Sequence, residues 1–247
     1  MIQAAAVALR TYLLPMTSTR AFRIGALGFL LTAGLVVLAV LVKPLADFLA
    51  RSSLDHLRKG VVLPGVPLAA LLLSEIPLRD GIRHRTLLYP LLGPVSRPVL
   101  ASVRTSATAV LCALSLTALV LIVRMVQGGA TEPLGGELLA IWLGSAAYVG
   151  LFGLIHLLSR RGLLVGLAFY GLLDDPLGRL PFALRNLSPS FHLRVLAHQE
   201  TQIELPISFS PPESSAVLSV AILAGRAVLL LGFTAALFTR KPLGELC

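Results

Sequence analysis

The run from Ile24 to Val42 is nineteen residues long without a charged side chain, closed by Arg23 before it and Lys43 after it. At 1.5 Å per residue such a helix covers about 28 Å, close to the thickness of a bilayer's hydrocarbon core. No single feature constrains this chain more, because a stretch of that kind reads as a helix that crosses a membrane. Five further apolar segments follow, separated by short charged pieces. Val61–Leu78 carries Pro64, Pro67, Pro77 and Glu75 and is expected to be kinked or irregular at its start. Thr105–Val123, Leu138–Leu158 and Ala216–Phe238 are each long enough to cross. Gly162–Leu173 supplies only about 18 Å of helix before Asp174-Asp175-Pro176 stops it, so it crosses only where the bilayer thins or protein covers its flanks.

The expected fold is therefore an all-α integral membrane protein. It forms a single transmembrane domain over residues 1–247, with six spans at about 24–42, 61–78, 105–123, 138–158, 162–173 and 216–238. Composition agrees, since 56% of the residues are hydrophobic and only 13% are charged, well outside the range of a soluble domain. Lys and Arg favour cytoplasmic loops. With both termini inside, twelve of the 21 basic residues fall on the cytoplasmic side, among them Arg79, Arg83, Arg85, Arg97, Arg160, Arg161 and Arg240. Residues 174–215, rich in proline, then form an outer segment of short interfacial helices. Residues 2–22, broken by Arg10 and Pro15, suit an interfacial helix before the first span, and no cleaved leader is expected.

Several activities find no support in the residues. The formal charge of +9 is spread over the ends of apolar runs rather than gathered on a polar face, which argues against nucleic acid as a partner. A phosphate-binding loop ends in Gly-Lys, whereas the three lysines follow Val42, Arg58 and Arg240; any dependence on ATP must come from a partner. The five histidines show no HExxH spacing, and His192 with His198 would be too few ligands for a metal. Cys112 lies in an apolar run and Cys247 at the last position, so a disulfide is not expected. Gly162, Gly166, Ala146 and Gly150 have the small-residue spacing that lets helices approach closely.

Two intramembrane charges are candidate functional residues. Arg226, near the middle of the last span, costs at least ~2.5–3.5 kcal/mol at a helix centre unless it faces protein or water. A substrate pathway and a structural partner on a neighbouring segment both satisfy that demand. Glu75 lies about one turn from the end of the second span, where pairing with Arg79 would accommodate it.

The segment SEIPLRDGIRHRTLLYPLLGPVSRPVLASVR, Ser74–Arg104, joins the second and third spans. Arg83, His84 and Arg85 stand next to Leu87, Leu88, Leu91 and Leu92, and Gly93-Pro94 ends the pattern, which predicts a short amphipathic helix. Its basic face suits a protein partner or anionic lipid. The same segment resembles the cytoplasmic loop of type-2 ABC-exporter permeases, in which an acidic residue, a basic turn, a Thr-Leu pair and a Pro-Val-Ser-Arg end precede the third span. Those positions are Asp80, Arg83–Arg85, Thr86-Leu87 and Pro94–Arg97; Arg85 stands where the family commonly has Gly. More loosely, the six spans and LSPSF before the last span follow the same family.

The resemblance implies a permease subunit in the bacterial cytoplasmic membrane, without catalytic residues, metal or cofactor of its own. Its partners would be a second permease subunit, identical or different, and two copies of an ATPase that binds ATP and Mg. The loop 79–104 would couple to the ATPase through Asp80, Arg83, Arg85, Thr86, Leu87, Tyr89, Pro94, Ser96 and Arg97. Two alternatives stand beside it. EIPLR, from Glu75, and FGLIH, ending at His156, resemble motifs of the CAAX-processing intramembrane proteases, although Ser74 replaces one of that family's paired glutamates. A membrane assembly factor without transport is the other.

Overall fold

The computed structural model describes residues 58–75, 96–126, 134–159, 161–180, 183–197 and 215–240, together with Gly34. Apart from Gly34, the expected N-terminal helix and first span, and the loop positions Asp80 to Pro94, lie outside them. The described residues are helical, and none forms a strand.

Helix α1, Val66–Leu73, continues a π-helical turn over Val61–Gly65. Pro64 sits inside that turn. It has no N–H to donate, and its ring crowds the carbonyl four residues back, so a wider turn relieves both problems. Pro67 falls in the first turn of α1, where a missing N–H costs little. Helix α2 runs over Arg97–Val126 for 30 residues and α3 over Leu134–Leu158 for 25. Helix α4, Gly162–Ala168, passes into a π-helical segment, Phe169–Asp174. A single turn at Asp175–Leu177 and a 3-10 turn at Ala183–Leu187 lead to α5, Pro189–Leu196. Helix α6, Ala216–Arg240, follows.

Helices α2, α3 and α6 are long and apolar enough to cross a membrane, as expected of a membrane-embedded helical protein. Helix α2 is longer than the third apolar run, because Arg97 and Arg104 are already helical instead of belonging to the preceding loop. Arg104 is buried there.

Side-chain contacts fix the relative directions. Arg124 near the end of α2 pairs with Glu137 near the start of α3, so those two helices run antiparallel. Arg58 before α1 reaches the same Glu137, while His156 near the end of α3 bonds the Leu71 carbonyl; α1 and α3 are therefore parallel. Helix α6 is also parallel to α3, and the Thr234 hydroxyl lies 3.0 Å from the Gly150 carbonyl. Helix α4 turns back along α3: a side chain at Gly162 would strike His156, and one at Gly166 would strike Leu71 and Phe152. Thus α3 forms the centre, packed against α1, α2, α4, α5 and α6.

The small residues read from the sequence serve these approaches. A Cβ at Gly150 would lie 2.9 Å from the Leu230 Cβ and 3.0 Å from the Leu231 backbone nitrogen, and neither can swing aside. Gly150→Ala is expected to push α6 from α3 and cost about 1–3 kcal/mol, the usual range for overpacking. Gly171→Ala, where nothing lies within 4 Å, should leave the detergent melting temperature nearly unchanged. Equal melting of the two variants would refute this account of the α3–α6 contact.

Candidate functional site

The π-helical end of α4 does not reach the Glu137 end of α3. It stops beside Tyr148, whose hydroxyl donates to Asp174 Oδ2. A helix that stops in the interior of an apolar bundle leaves carbonyls that water cannot reach. Here two serines flanking the start of α5 meet them. Ser188 Oγ donates to Asp174 Oδ1 at 2.6 Å, and Ser190 Oγ donates to the Asp174 carbonyl at 3.1 Å. The Gly178 N–H also donates to that carbonyl at 3.0 Å. Ser188 caps α5 by accepting from the Phe191 N–H. The approach requires glycine at 178, since a Cβ there would meet both serine hydroxyls.

Around this knot lies a layer of charged and polar groups. Asp175 pairs with Arg194 and, at 2.8 Å, with Arg179. The Arg226 Nη2 donates to the Asn186 carbonyl at 2.9 Å, and its charge acts on Asp174 and Tyr148. Arg185 covers the ring of Phe191, 4.5 Å from its centroid, a cation–π contact. Every residue of α5 is buried, His192 and Arg194 included. Instead, α5 fills the space left where α4 stops, with Leu193 seated over Gly144 of α3 beside Val66.

His192 shows how a titratable group is held in that interior. Its Nε2 lies 3.0 Å from the Asn186 carbonyl and must donate, so Nδ1 accepts from the Ser219 hydroxyl at 3.1 Å. Both ring nitrogens are thus used in the neutral form. Among the described residues no group of three or more His, Cys, Asp and Glu is arranged to hold a metal.

A second polar cluster ties the other end of the bundle. Glu137 accepts from Arg124 at 3.0 Å and forms an ion pair with Arg58 at 3.4 Å, with all three side chains at least nine-tenths buried.

Of the candidates read from sequence, Arg226 belongs to the interior layer. Ser96 stands at the start of α2, its carbonyl accepting from the Leu100 N–H at 3.0 Å, and Arg97 opens the helix. Glu75 lies in the turn after α1. His156 Nε2 donates to the Leu71 carbonyl at 3.1 Å, one turn before Glu75. Asp80, Arg83, Arg85, Thr86, Leu87, Tyr89 and Pro94 lie outside the described residues. Tyr148, Asp174, Asp175, Ser188, Ser190 and Arg194 were not singled out in advance. The signal for them was the stop DDPLG followed by a serine cap before proline, SPS.

No protein family, no curated protein and no solved structure matches this chain.

Burial pushes His192 below the ordinary imidazole value; its bond to Asn186 opposes that shift, and the nearby Arg226 charge adds to it. The unfolded chain, titrating near pH ~6.5, then takes up a proton that the folded protein refuses. The stabilisation is present above that pH and is lost as pH falls through the folded value. The melting temperature of the protein in detergent should drop between pH 7.5 and 5.5. His192→Gln, which keeps one donor and one acceptor but does not titrate, should drop less, and identical pH profiles would remove this assignment.

Proposed function

We propose that this chain is the permease subunit of an ABC-type exporter, a six-span protein with both termini in the cytoplasm of a bacterial cell. The observation that carries the reading is Ser74–Arg104, with its acidic residue, basic turn, Thr-Leu pair and Pro-Val-Ser-Arg end in the order that type-2 exporter permeases use. The fold supports it in two ways. Helices α1, α3 and α6 run one way and α2 and α4 the other, as spans two to six of such a protein must alternate. The ends of α1 and α3, the start of α2 and the end of α6 also share one end of the bundle. There Leu100, Ala101, Leu157, Ala235 and Phe238 form an apolar cluster.

That end carries Arg97, Arg104, Arg161 and Arg240, which suits a cytoplasmic face under the positive-inside rule. In this reading the loop between α1 and α2 emerges where a cytoplasmic ATPase would meet it. Arg83, Arg85 and Thr86-Leu87 would form the contact, with Asp80 and Tyr89 flanking it and Pro94, Ser96 and Arg97 passing movement into α2. ATP and Mg stay on the ATPase dimer. A second permease subunit completes the pathway, and the subunit itself performs no chemistry.

Expression of the tagged chain in its native host, where an ATPase partner would be present, tests the proposal. The wild-type chain should retain the ATPase through purification in mild detergent and raise its hydrolysis rate on reconstitution. Arg83→Glu combined with Arg85→Glu should lower that stimulation at least tenfold while leaving the melting temperature of the membrane subunit in place. Full stimulation in the double variant, or a wild-type chain that neither retains nor stimulates an ATPase, would sink the proposal.

A further inference from the structure

The crossing that begins with α4 is broken at mid-depth. Tyr148, beside which α4 ends, lies 14 residues from the first residue of α3 and 10 from the last, about 21 and 15 Å along a helix. Arg226, which holds the Asn186 carbonyl, lies 10 and 14 residues from the two ends of α6. Asp174 and Asn186 are therefore both level with the middle of long spans, and Ser188 returns to Asp174 at 2.6 Å. From there α5 runs toward the Glu137 end: Ser190 bonds Asp174, Leu193 sits over Gly144, and His192 reaches Ser219 near the start of α6. Two half-helices, α4 and α5, thus share one crossing, with turns at 178–180 and Ala183–Leu187 between them.

Turn backbone at that depth is tolerated only where protein buries it or water reaches it. On one side protein does, since Asp174 and Arg185 are buried. The other side is open: the Asp175 and Arg179 side chains are 25% and 49% exposed, and Leu184 and Leu187 of the 3-10 turn are exposed as well. Arg179 does not escape by stretching toward the membrane surface, as a long cationic side chain does near a helix end. Its guanidinium turns back to Asp175, 2.8 Å away. An ion pair set against hydrocarbon keeps much of its desolvation cost, and charges held at such depth are met by thinned bilayer and penetrating water. The exposed residues of α4 and its π-helical end, from Leu164 to Leu173, are all apolar, so a polar route starts at Asp175 and leads the other way, toward the Glu137 end.

We propose that the break between α4 and α5 lines an aqueous inlet that enters from the Glu137 end and admits small hydrophilic solutes to the Asp175–Arg179 pair at the middle of the membrane. Asp174 seals the protein side of the break, and Asp175 and Arg179 face the water. The inlet needs no ATPase and stands apart from the coupling loop, so it can hold where the transport reading fails and fail where that reading holds.

The test places single cysteines in the full chain after Cys112→Ala and Cys247→Ser. Their reaction with a charged, membrane-impermeant methanethiosulfonate is followed in membrane vesicles of either orientation. Gly135→Cys, exposed with nothing within 4 Å, marks the Glu137 end, and exposed Arg240→Cys marks the other. Val228→Cys, two residues from Arg226 on the exposed apolar flank of α6, marks lipid at the same depth. Arg179→Cys and Leu184→Cys should react from the side that modifies Gly135→Cys, within about tenfold of its rate. They should react at least about a hundredfold faster than Val228→Cys, because the attacking thiolate forms where water is and not in lipid. Leu184→Cys leaves the Asp175 ion pairs in place, so it decides if Arg179→Cys does not fold. Reaction no faster than that of Val228→Cys, or reaction from the Arg240 side, would overturn the proposal. Protection from the reagent together with oxidative cross-linking of Leu184→Cys into a dimer would overturn it too, by showing a second copy on this face.

Discussion

The bond set of Asp174 is the point on which the rest of the bundle depends. A helix ending in an apolar interior exposes carbonyls that only protein can satisfy, and Pro176 forbids α4 from continuing regularly. Asp174 closes that end by taking Tyr148 from α3 and the serines at the head of α5, so one residue joins three elements. Since α4 stops at Tyr148, the space beyond it on α3 is open to α5. Since α5 fills that space, Gly144 has to be small enough for Leu193 to sit on it. Short helices that would be marginal alone become fixed parts of the core, because most helix stability comes from packing.

Burial of α5 brings charged groups inside, and their partners decide whether that is tolerable. Charged side chains are almost never fully buried unless paired. Arg194 has Asp175, nineteen residues before it, and His192 has Ser219 and Asn186, twenty-seven residues after and six before. Arg226 is drawn toward the same layer from α6 by the Asn186 carbonyl. The layer is thus assembled from four elements, none of which supplies a complete set of partners on its own.

That dispersal explains what could be read in advance. The long apolar runs behind α2, α3 and α6 are local signals, and their positions were legible to within a few residues except where charge misled. Arg97 and Arg104 looked like loop residues, yet they belong to the first two turns of α2. The short fifth run and its DDP stop were equally legible, but its expected cover of protein is not there: Leu164, Val165, Leu167, Leu172 and Leu173 are exposed, and only its glycine face and its end at Asp174 are buried. The fate of PSFHLRVL was not, because a histidine and an arginine in eight residues read as an exposed pattern until their distant partners are known. Glu137 escaped notice for the same reason. Its partners Arg58 and Arg124 belong to different helices, and only the fold shows that all three share one end. Arg226 was found because its cost is local: an arginine within a long apolar run is unusual whatever surrounds it.

The two polar clusters have different mechanical consequences. Arg58, Glu137 and Arg124 lock the register of α1, α2 and α3 at one end, and the apolar cluster around Leu157 and Phe238 holds the other. Buried ion pairs add little net stability, because desolvation offsets most of their attraction; their better-attested use is to fix register. The layer around Asp174 joins mainly short or irregular pieces, the π-helical end of α4, the 3-10 turn and α5, to the long helices. A displacement of residues 174–197 would break the bonds of Tyr148, Ser219 and Arg226 while leaving the ion pairs at Glu137 and the glycine contacts of α3 with α6 in place. The bundle therefore has a frame held at both ends and an interior segment that Asp174 fastens to it through separate bonds.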